Sequence, residues 1–389
     1  MSWGIKNVED QKKLFILACL EKKFDFKTIC YQFDISRPTG YLWLDRFEKE
    51  GWEGLKERSR RPLSTPNATL DEIENAILNI KYEYTNWGAK KILPHLKKIN
   101  PLIAWPSKTT VENILKKNGL VKQRTPRKRL AIRSESLSES NSSNDIWCMD
   151  FKGWWLTKDQ FKCEPFTLTD SFSRFLFCCQ NLDFNNTDHV WGVIDRVFRE
   201  YGLPMIIKSD NGAPFASLGP GRLSKLAIKF IKAGITPEWI DPGKPQQNGS
   251  HERMHRTLKD EGMDLNLNLD QQILKLEKFK DYYNYIRPHE SINQQTPGEI
   301  YSASQRNWNG RLKSPEYSRE YKVGKVQSCG KMWLNGRRIY IGRAFEGEPI
   351  GLKVDGENLN AYYGPMFLGC IIENSIKVDR RPGRIKLKI

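Results

Sequence analysis

Two aspartates in this chain sit where an acid is costly to keep without a cation beside it, and a glutamate downstream stands among cations. Asp150 lies inside the apolar and aromatic run Ile146-Trp-Cys-Met-Asp150-Phe-Lys-Gly-Trp-Trp. Asp210 ends the run Pro204-Met-Ile-Ile-Lys-Ser-Asp210 and is followed by the turn pair Asn211-Gly212. Glu252 stands among basic and amide side chains in Lys244-Pro-Gln-Gln-Asn-Gly-Ser-His-Glu-Arg-Met-His-Arg-Thr-Leu-Lys259. An ionised carboxylate in apolar surroundings needs a cation or hydrogen-bond donors to offset its desolvation. Three such oxygen donors are the ligand type that hard divalent cations take. Basic and amide side chains around them suit a phosphate backbone held next to the metal.

The elements that must position these groups can be read from periodicity. The first two runs read as strands, with Asp150 on the first and Asp210 at the end of the second. Past the Pro242, Gly243 and Pro245 loop, the third run reads as a helix. On it Glu252, His255, Arg256 and Lys259 share one face, and Met254 and Leu258 form an apolar back to bury. Residues 146–156, 164–171 and 174–182 are three strand-like runs, expected to form an antiparallel meander. An amphipathic helix over 187–201, a strand over 204–210, a helix over 223–233 and a short strand at 238–240 follow. Three strands and then alternating helix and strand predict a ribonuclease-H-like α/β core over 146–305. Asp170, in Leu168-Thr-Asp-Ser, is expected to be a structural or turn residue.

With these motifs in place, the sequence resembles the Asp-Asp-Glu transposases and integrases that carry a retroviral-integrase type of core. More narrowly, it resembles a bacterial insertion-sequence transposase. The residues that carry the resemblance are Trp147-x-x-Asp150-Phe-Lys, Ser209-Asp-Asn-Gly212 and Gln247-Asn-Gly-x-x-Glu252-Arg-x-His-x-x-Leu-Lys259. Tyr283-Asn-Tyr-Ile-Arg287-Pro-His-Glu-Ser-Ile, Thr296-Pro297 and Tyr301 close the core in the family's manner. The resemblance implies that Asp150, Asp210 and Glu252 are catalytic and hold two Mg²⁺ or Mn²⁺ ions. It also implies cleavage and strand transfer of transposon-end DNA, by chains that assemble as homo-oligomers on DNA. Lys244, Asn248, His255, Arg256 and Lys259 are then candidates to hold DNA near the scissile phosphate. One departure is that Asp210 and Glu252 are 42 positions apart, longer than usual for the family. The extra length is expected in the Gly/Pro-containing loop Ala216–Arg222, where an insertion costs little.

The flanks read as DNA-binding parts. Residues 1–65 pattern as a helix-turn-helix unit, with Ser36 capping a third helix, Pro38 in its first turn and Arg37 and Thr39 at its N-terminal end. Arg58, Arg60 and Arg61 form a basic arm after it. Residues 66–122 pattern as a second such unit, with a capping box at Thr69-x-x-Glu72, a helix opening at Trp87-Gly-Ala and another starting at Pro106-Ser107. Residues 123–145 form a linker, and Lys122, Arg124, Arg127, Lys128 and Arg129 make a cation cluster at its start. Short strands over 318–373, with a hairpin turn at Asn335-Gly336, predict a small β-barrel, and residues 374–389 are a basic tail.

Charge placement fits that layout. Residues 1–145 carry +9, residues 146–310 carry zero and residues 311–389 carry +8, which make up the net +17. Basic flanks around a neutral, carboxylate-bearing centre suit a polyanion gripped on both sides of the site. No apolar run reaches the length of a membrane span, and the N-terminal residues do not read as a signal peptide, so a cytoplasmic, nucleoid-associated protein is expected. The eight cysteines make no Cys-x-x-Cys pair, which argues against a disulfide framework or zinc module. Two other functions use much of the same sequence. One is a metal-dependent nuclease on this fold, and the other is a transposase-derived DNA-binding regulator without catalysis.

Overall fold

The structure is a computed structural model that describes residues 8–58, 68–121, 138–241, 243–356 and 358–371. The chain divides into two compact units, Met1–Thr69 and Leu70–Ile389.

The first unit holds α1 (Val8–Leu20), α2 (Phe26–Gln32) and α3 (Arg37–Glu50) around Phe15, Ile16, Ile29, Cys30 and Leu55. As expected, Ser36 caps α3 by accepting from the Thr39 amide, with Pro38 in the first turn. The close approach of α2 and α3 depends on Gly40, where a Cβ would come within 2.8 Å of Cys30 Sγ. Tyr41, which helical spacing places inward, instead lies exposed with its ring stacked on Phe26.

The second unit opens with three more helices, α4 (Asp71–Glu83), α5 (Ala89–Ile99) and α6 (Lys108–Lys117). Ser107 caps α6 as its position predicts. The capping box expected at Thr69 does not form, because Leu70 occupies the N-cap of α4 and makes no side-chain cap bond. Trp87 precedes α5 rather than opening it and is buried among Ile77, Ile92, Leu96, Val111 and Leu115. Its indole Nε1 donates to Tyr282 Oη at 2.6 Å, and Tyr84 stacks on both rings. The helical group is thereby joined to the α/β core that follows.

That core contains β1 (Ile146–Phe151), the short hairpin β2 (Trp155–Leu156) and β3 (Lys162–Cys163), then β4 (Pro165–Asp170) and β5 (Leu176–Asn181). It continues through α7 (Thr187–Tyr201), β6 (Ile206–Ser209), α8 (Lys225–Lys232), β7 (Thr236–Trp239), α9 (Gly249–Thr257), α10 (Leu269–Asp281) and the single turn α11 (Pro297–Ile300). The five-stranded sheet has the order β5-β4-β1-β6-β7, antiparallel across β5-β4-β1 and parallel across β1-β6-β7. This is the ribonuclease-H-like arrangement. One sheet face packs on α7 and α8 through Val190, Ile194, Phe198, Leu226 and Phe230. The other packs on α9 and α10 through Met254, Leu258, Leu276 and Phe279. Cys178 and Cys179 point to these opposite faces, and all eight cysteines are free thiols.

Several motif residues close the core. Asn144 Oδ1 accepts from Trp147 Nε1 and Tyr301 Oη, while its amide donates to buried Asp170. Asp170 also accepts from the Ser173 amide and hydroxyl, so its role is structural, as expected. The Asn284 side chain pairs with both backbone groups of Leu176 on β5.

The C-terminal segment carries β8 (Lys322–Lys325), β9 (Lys331–Leu334), β10 (Arg337–Tyr340), β11 (Pro349–Asp355), β12 (Asn358–Tyr363) and β13 (Met366–Ile371). Among the described residues these make an antiparallel sheet of order β13-β12-β11-β8 and a separate β9-β10 hairpin. The two share a core but do not close into one hydrogen-bonded barrel, contrary to the sequence expectation. Asn335 and Gly336 both take positive φ at the hairpin turn, as expected. Leu223, Ala227, Ile228 and Ile231, at and within α8, pack into that same core, and Lys232 pairs with Glu348 at 2.6 Å. The loop over residues 216–222 also meets this sheet. Gly221, at φ +61°, sits so close to Leu368 that a Cβ would lie 2.8 Å from its Cδ2.

Candidate active site

Sheet register brings two of the three carboxylates together. In the parallel β1-β6 pair, Trp147 faces Ile207 and Cys148 faces Lys208. The same register two residues on sets Asp150 level with Asp210 on the adjacent strand. The Gly212 amide donates to Asp210 Oδ1 at 3.1 Å, which holds that carboxylate at the strand end. The helix α9 buries Met254 and Leu258 against the sheet, as its pattern predicts, and this brings its first turn over β1. Glu252, Asp150 and His255 then offer ligand atoms that all lie within 4.8 Å of one another.

Electrostatics marks the same place. The Asp150 carboxyl is pushed up to about 7, first by burial, then by the nearby charges of Asp210 and Glu252; Lys152 opposes this only in part. A buried carboxyl whose ionisation two neighbouring acids oppose fits a divalent cation, which would reverse the sign of the local field. Asp150, Asp210 and Glu252 are the residues suited to hold it.

Beneath the carboxylates lies a buried polar network with no counterpart in the expectations from sequence. Thr167 Oγ1 donates to the Asp150 carbonyl at 2.9 Å. It also lies 2.8 Å from His251 Nε2 and 2.8 Å from His255 Nε2. Thr169 Oγ1 meets His251 Nδ1 at 2.7 Å. Burial holds both imidazoles neutral, His255 down to about 3 and His251 well below the ordinary histidine value. The signals available were the i, i+4 spacing of the two histidines and the alternation of Thr167 and Thr169 on one strand face.

The other predicted contacts divide by exposure. Arg256 is exposed on α9 and Lys259 in the turn just after it, and exposed Lys244 pairs with Asp241 at 2.9 Å. Asn248 and His255 are each only 4% exposed, so neither presents its polar atoms to a backbone from outside. Both pack inside the site. Arg37 is exposed and Thr39 is half-buried on α3, and Arg58 is exposed and pairs with Glu50. Arg60, Arg61, Lys122, Arg124, Arg127, Lys128 and Arg129 lie outside the described residues.

Two hollows adjoin the site. A pocket of about 170 Å³ is lined by Lys152, Trp154, Trp155 and Lys259. A larger cleft of about 540 Å³ lies between the α4–α6 group and the core, with Lys91, Arg174, Arg253, Arg256 and Arg287 on its walls. At its floor Glu261 accepts from Arg287 Nε at 3.0 Å and from Tyr282 Oη at 2.8 Å. Burial, followed by the nearby Arg287 charge, pulls Lys91 down to about 8. Sequence reading missed Lys91, Arg174 and Arg253, because the cleft forms only when distant segments meet.

Known proteins share parts of this chain. Residues 140–245 and 233–297 match two models of the integrase core domain. Residues 11–62 match a helix-turn-helix domain and residues 39–115 a homeodomain-like domain. An uncharacterized 31.7 kDa protein of insertion element IS407 from Burkholderia multivorans is 26% identical over 188 residues, 46% of this chain. The match spans 63% of that relative's length. Among solved structures, the HTLV-2 integrase catalytic core domain in complex with magnesium is 17% identical with a TM-score of 0.34, covering 42% of this chain and 100% of that one. A chain of the simian T-cell lymphotropic virus intasome in complex with PP2A regulatory subunit B56 gamma is 16% identical with a TM-score of 0.38, covering 76% and 99%.

Proposed function

We propose that the chain is a bacterial insertion-sequence transposase of the Asp-Asp-Glu, integrase-core family, one that binds transposon ends and catalyses metal-dependent DNA cleavage and strand transfer. The observation that carries the proposal is the convergence of Asp150, Asp210 and Glu252, with the Asp150 carboxyl driven up by burial and then by its acidic neighbours. Two Mg²⁺ or Mn²⁺ ions held by these residues would supply activation of the attacking hydroxyl and stabilisation of the leaving 3′-oxygen.

The chain's own residues do the rest by position and charge. Strands β1 and β6 fix two carboxylates on a rigid sheet, which keeps reorganisation small when charge develops at the phosphate. Arg256, on the helix that bears Glu252, Lys259, in the turn after it, and Lys152, two residues beyond Asp150, offset the negative charge of a DNA backbone brought to that point. No covalent enzyme–DNA intermediate is required, so no Ser or Tyr nucleophile is assigned. The helix-turn-helix unit of residues 1–65 reads end sequence, with Arg37 and Thr39 at the base edges and Arg58, Arg60 and Arg61 on the backbone. Lys122, Arg124, Arg127, Lys128 and Arg129 grip phosphates further along.

The test is to incubate the full chain with Mg²⁺ and DNA carrying the ends of the element that encodes it. Joined product is the expected outcome. Cutting without joining would make the protein a nuclease on this fold, and binding without either would make it a regulator.

A further inference from the structure

The hydrogen bonds around Thr167 fix which nitrogen of His255 carries its proton. Thr167 has one hydroxyl hydrogen, and the Asp150 carbonyl, which can only accept, takes it. The two remaining lone pairs of Thr167 Oγ1 must then accept from His251 Nε2 and His255 Nε2, so both Nε2 atoms carry hydrogen. The rest of the network agrees. His251 Nδ1 is left as an acceptor, and Thr169 Oγ1 donates to it at 2.7 Å. In the neutral ring His255 Nδ1 is then the nitrogen without a proton, and it lies 3.8 Å from Asp150 Oδ2. That separation is too long for a hydrogen bond. It is short enough for both atoms to reach one cation, since two ligand atoms on opposite sides of a cation with bonds of about 2.1 Å stand about 4.2 Å apart.

We propose that His255 is a metal ligand through Nδ1, sharing with Asp150 and Glu252 one of the ions that the carboxylates hold. This gives the site a mixed oxygen and nitrogen donor set. The proposal rests on the metal-dependent reading of the same carboxylates and adds a residue and a metal preference to it. Thr167 orients the ligand by accepting from its far nitrogen, the arrangement that metal-bound histidines commonly show. The inaccessibility of His255 to DNA follows, since its ring is spent between Thr167 and the ion. Imidazole suits Mn²⁺ and later divalent ions better than Mg²⁺. Loss of His255 therefore weakens Mn²⁺ more than Mg²⁺.

The experiment is electron spin-echo spectroscopy of the full chain loaded with Mn²⁺, with isothermal titration of Mn²⁺ and Mg²⁺ alongside. The expected result is a directly bound ¹⁴N coupling that disappears in His255→Gln, with a larger loss of affinity for Mn²⁺ than for Mg²⁺. Thr167→Val, nearly isosteric, keeps the ring but frees its Nε2, and should weaken Mn²⁺ binding by roughly 10–100-fold. It serves as the second readout where His255→Gln fails to fold. Bound Mn²⁺ without nitrogen coupling overturns the role of His255 and leaves the carboxylate site standing. A chain that binds neither ion overturns both.

Discussion

At the residue scale, Asp150 carries the account. Its folded pKa of about 7 is raised above the roughly 3.9 of an unfolded aspartate. The metal-free protein therefore keeps this group's contribution in full below about pH 4 and loses it as pH rises through 7. Asp210 is part of the cause, so metal-free Asp210→Asn should melt several degrees above the parent at pH 8, with the gain shrinking towards pH 5. Thermal melts in a chelator check this, and a lower melting temperature for the variant at pH 8 would contradict it. The carboxylates were legible in the sequence because an acid in an apolar strand stands out. The proton on His255 was not, because it depends on Thr167, 88 positions away.

At the scale of elements, the α4–α6 group was legible as helices but not as a fixture. Caps such as Ser107 mark boundaries locally, whereas the seat of Trp87 depends on Tyr282, 195 positions on. Ion pairs Lys90–Glu290 and Lys98–Glu299 join the same surfaces. Removing residues up to 120 would strip this face from the core, so such a truncation is not a clean test of DNA reading. Trp87 is 1% exposed, and Trp87→Ala should cost about 3–5 kcal/mol, read by urea unfolding. A loss below about 1 kcal/mol would show that the contact is incidental. The expected barrel failed for a related reason. Alternation reveals which strand faces are buried, but closure depends on pairing between strand edges, and here the core is completed by α8. The loop after Asp210 was legible as a Gly/Pro-containing segment, yet its packing on Leu368 left no local signature.

At the scale of the whole molecule, the proposed assembly on DNA rests on charge placement. Flanks of +9 and +8 around a neutral centre repel free chains and attract DNA. Joining two transposon ends to one target needs two active sites, and one chain supplies one Asp-Asp-Glu set. Light scattering should therefore show weak or no association of free protein and a dimer or larger complex once two ends are added, fading as salt rises. One chain per pair of ends in an active complex would contradict this. In the cationic cleft, Arg253→Ala should lower DNA affinity and reduce the salt slope by about 1. An unchanged slope would show that the cleft does not meet phosphate. In the proposed function Asp150, Asp210 and Glu252 serve DNA cleavage and joining but not binding. Assaying Asp150→Asn, Asp210→Asn and Glu252→Gln for both on the same end-bearing DNA with Mg²⁺ decides this. Each variant should bind the DNA nearly as well as the parent and neither cut nor join it, whereas full joining by any one of them would remove that residue from the site.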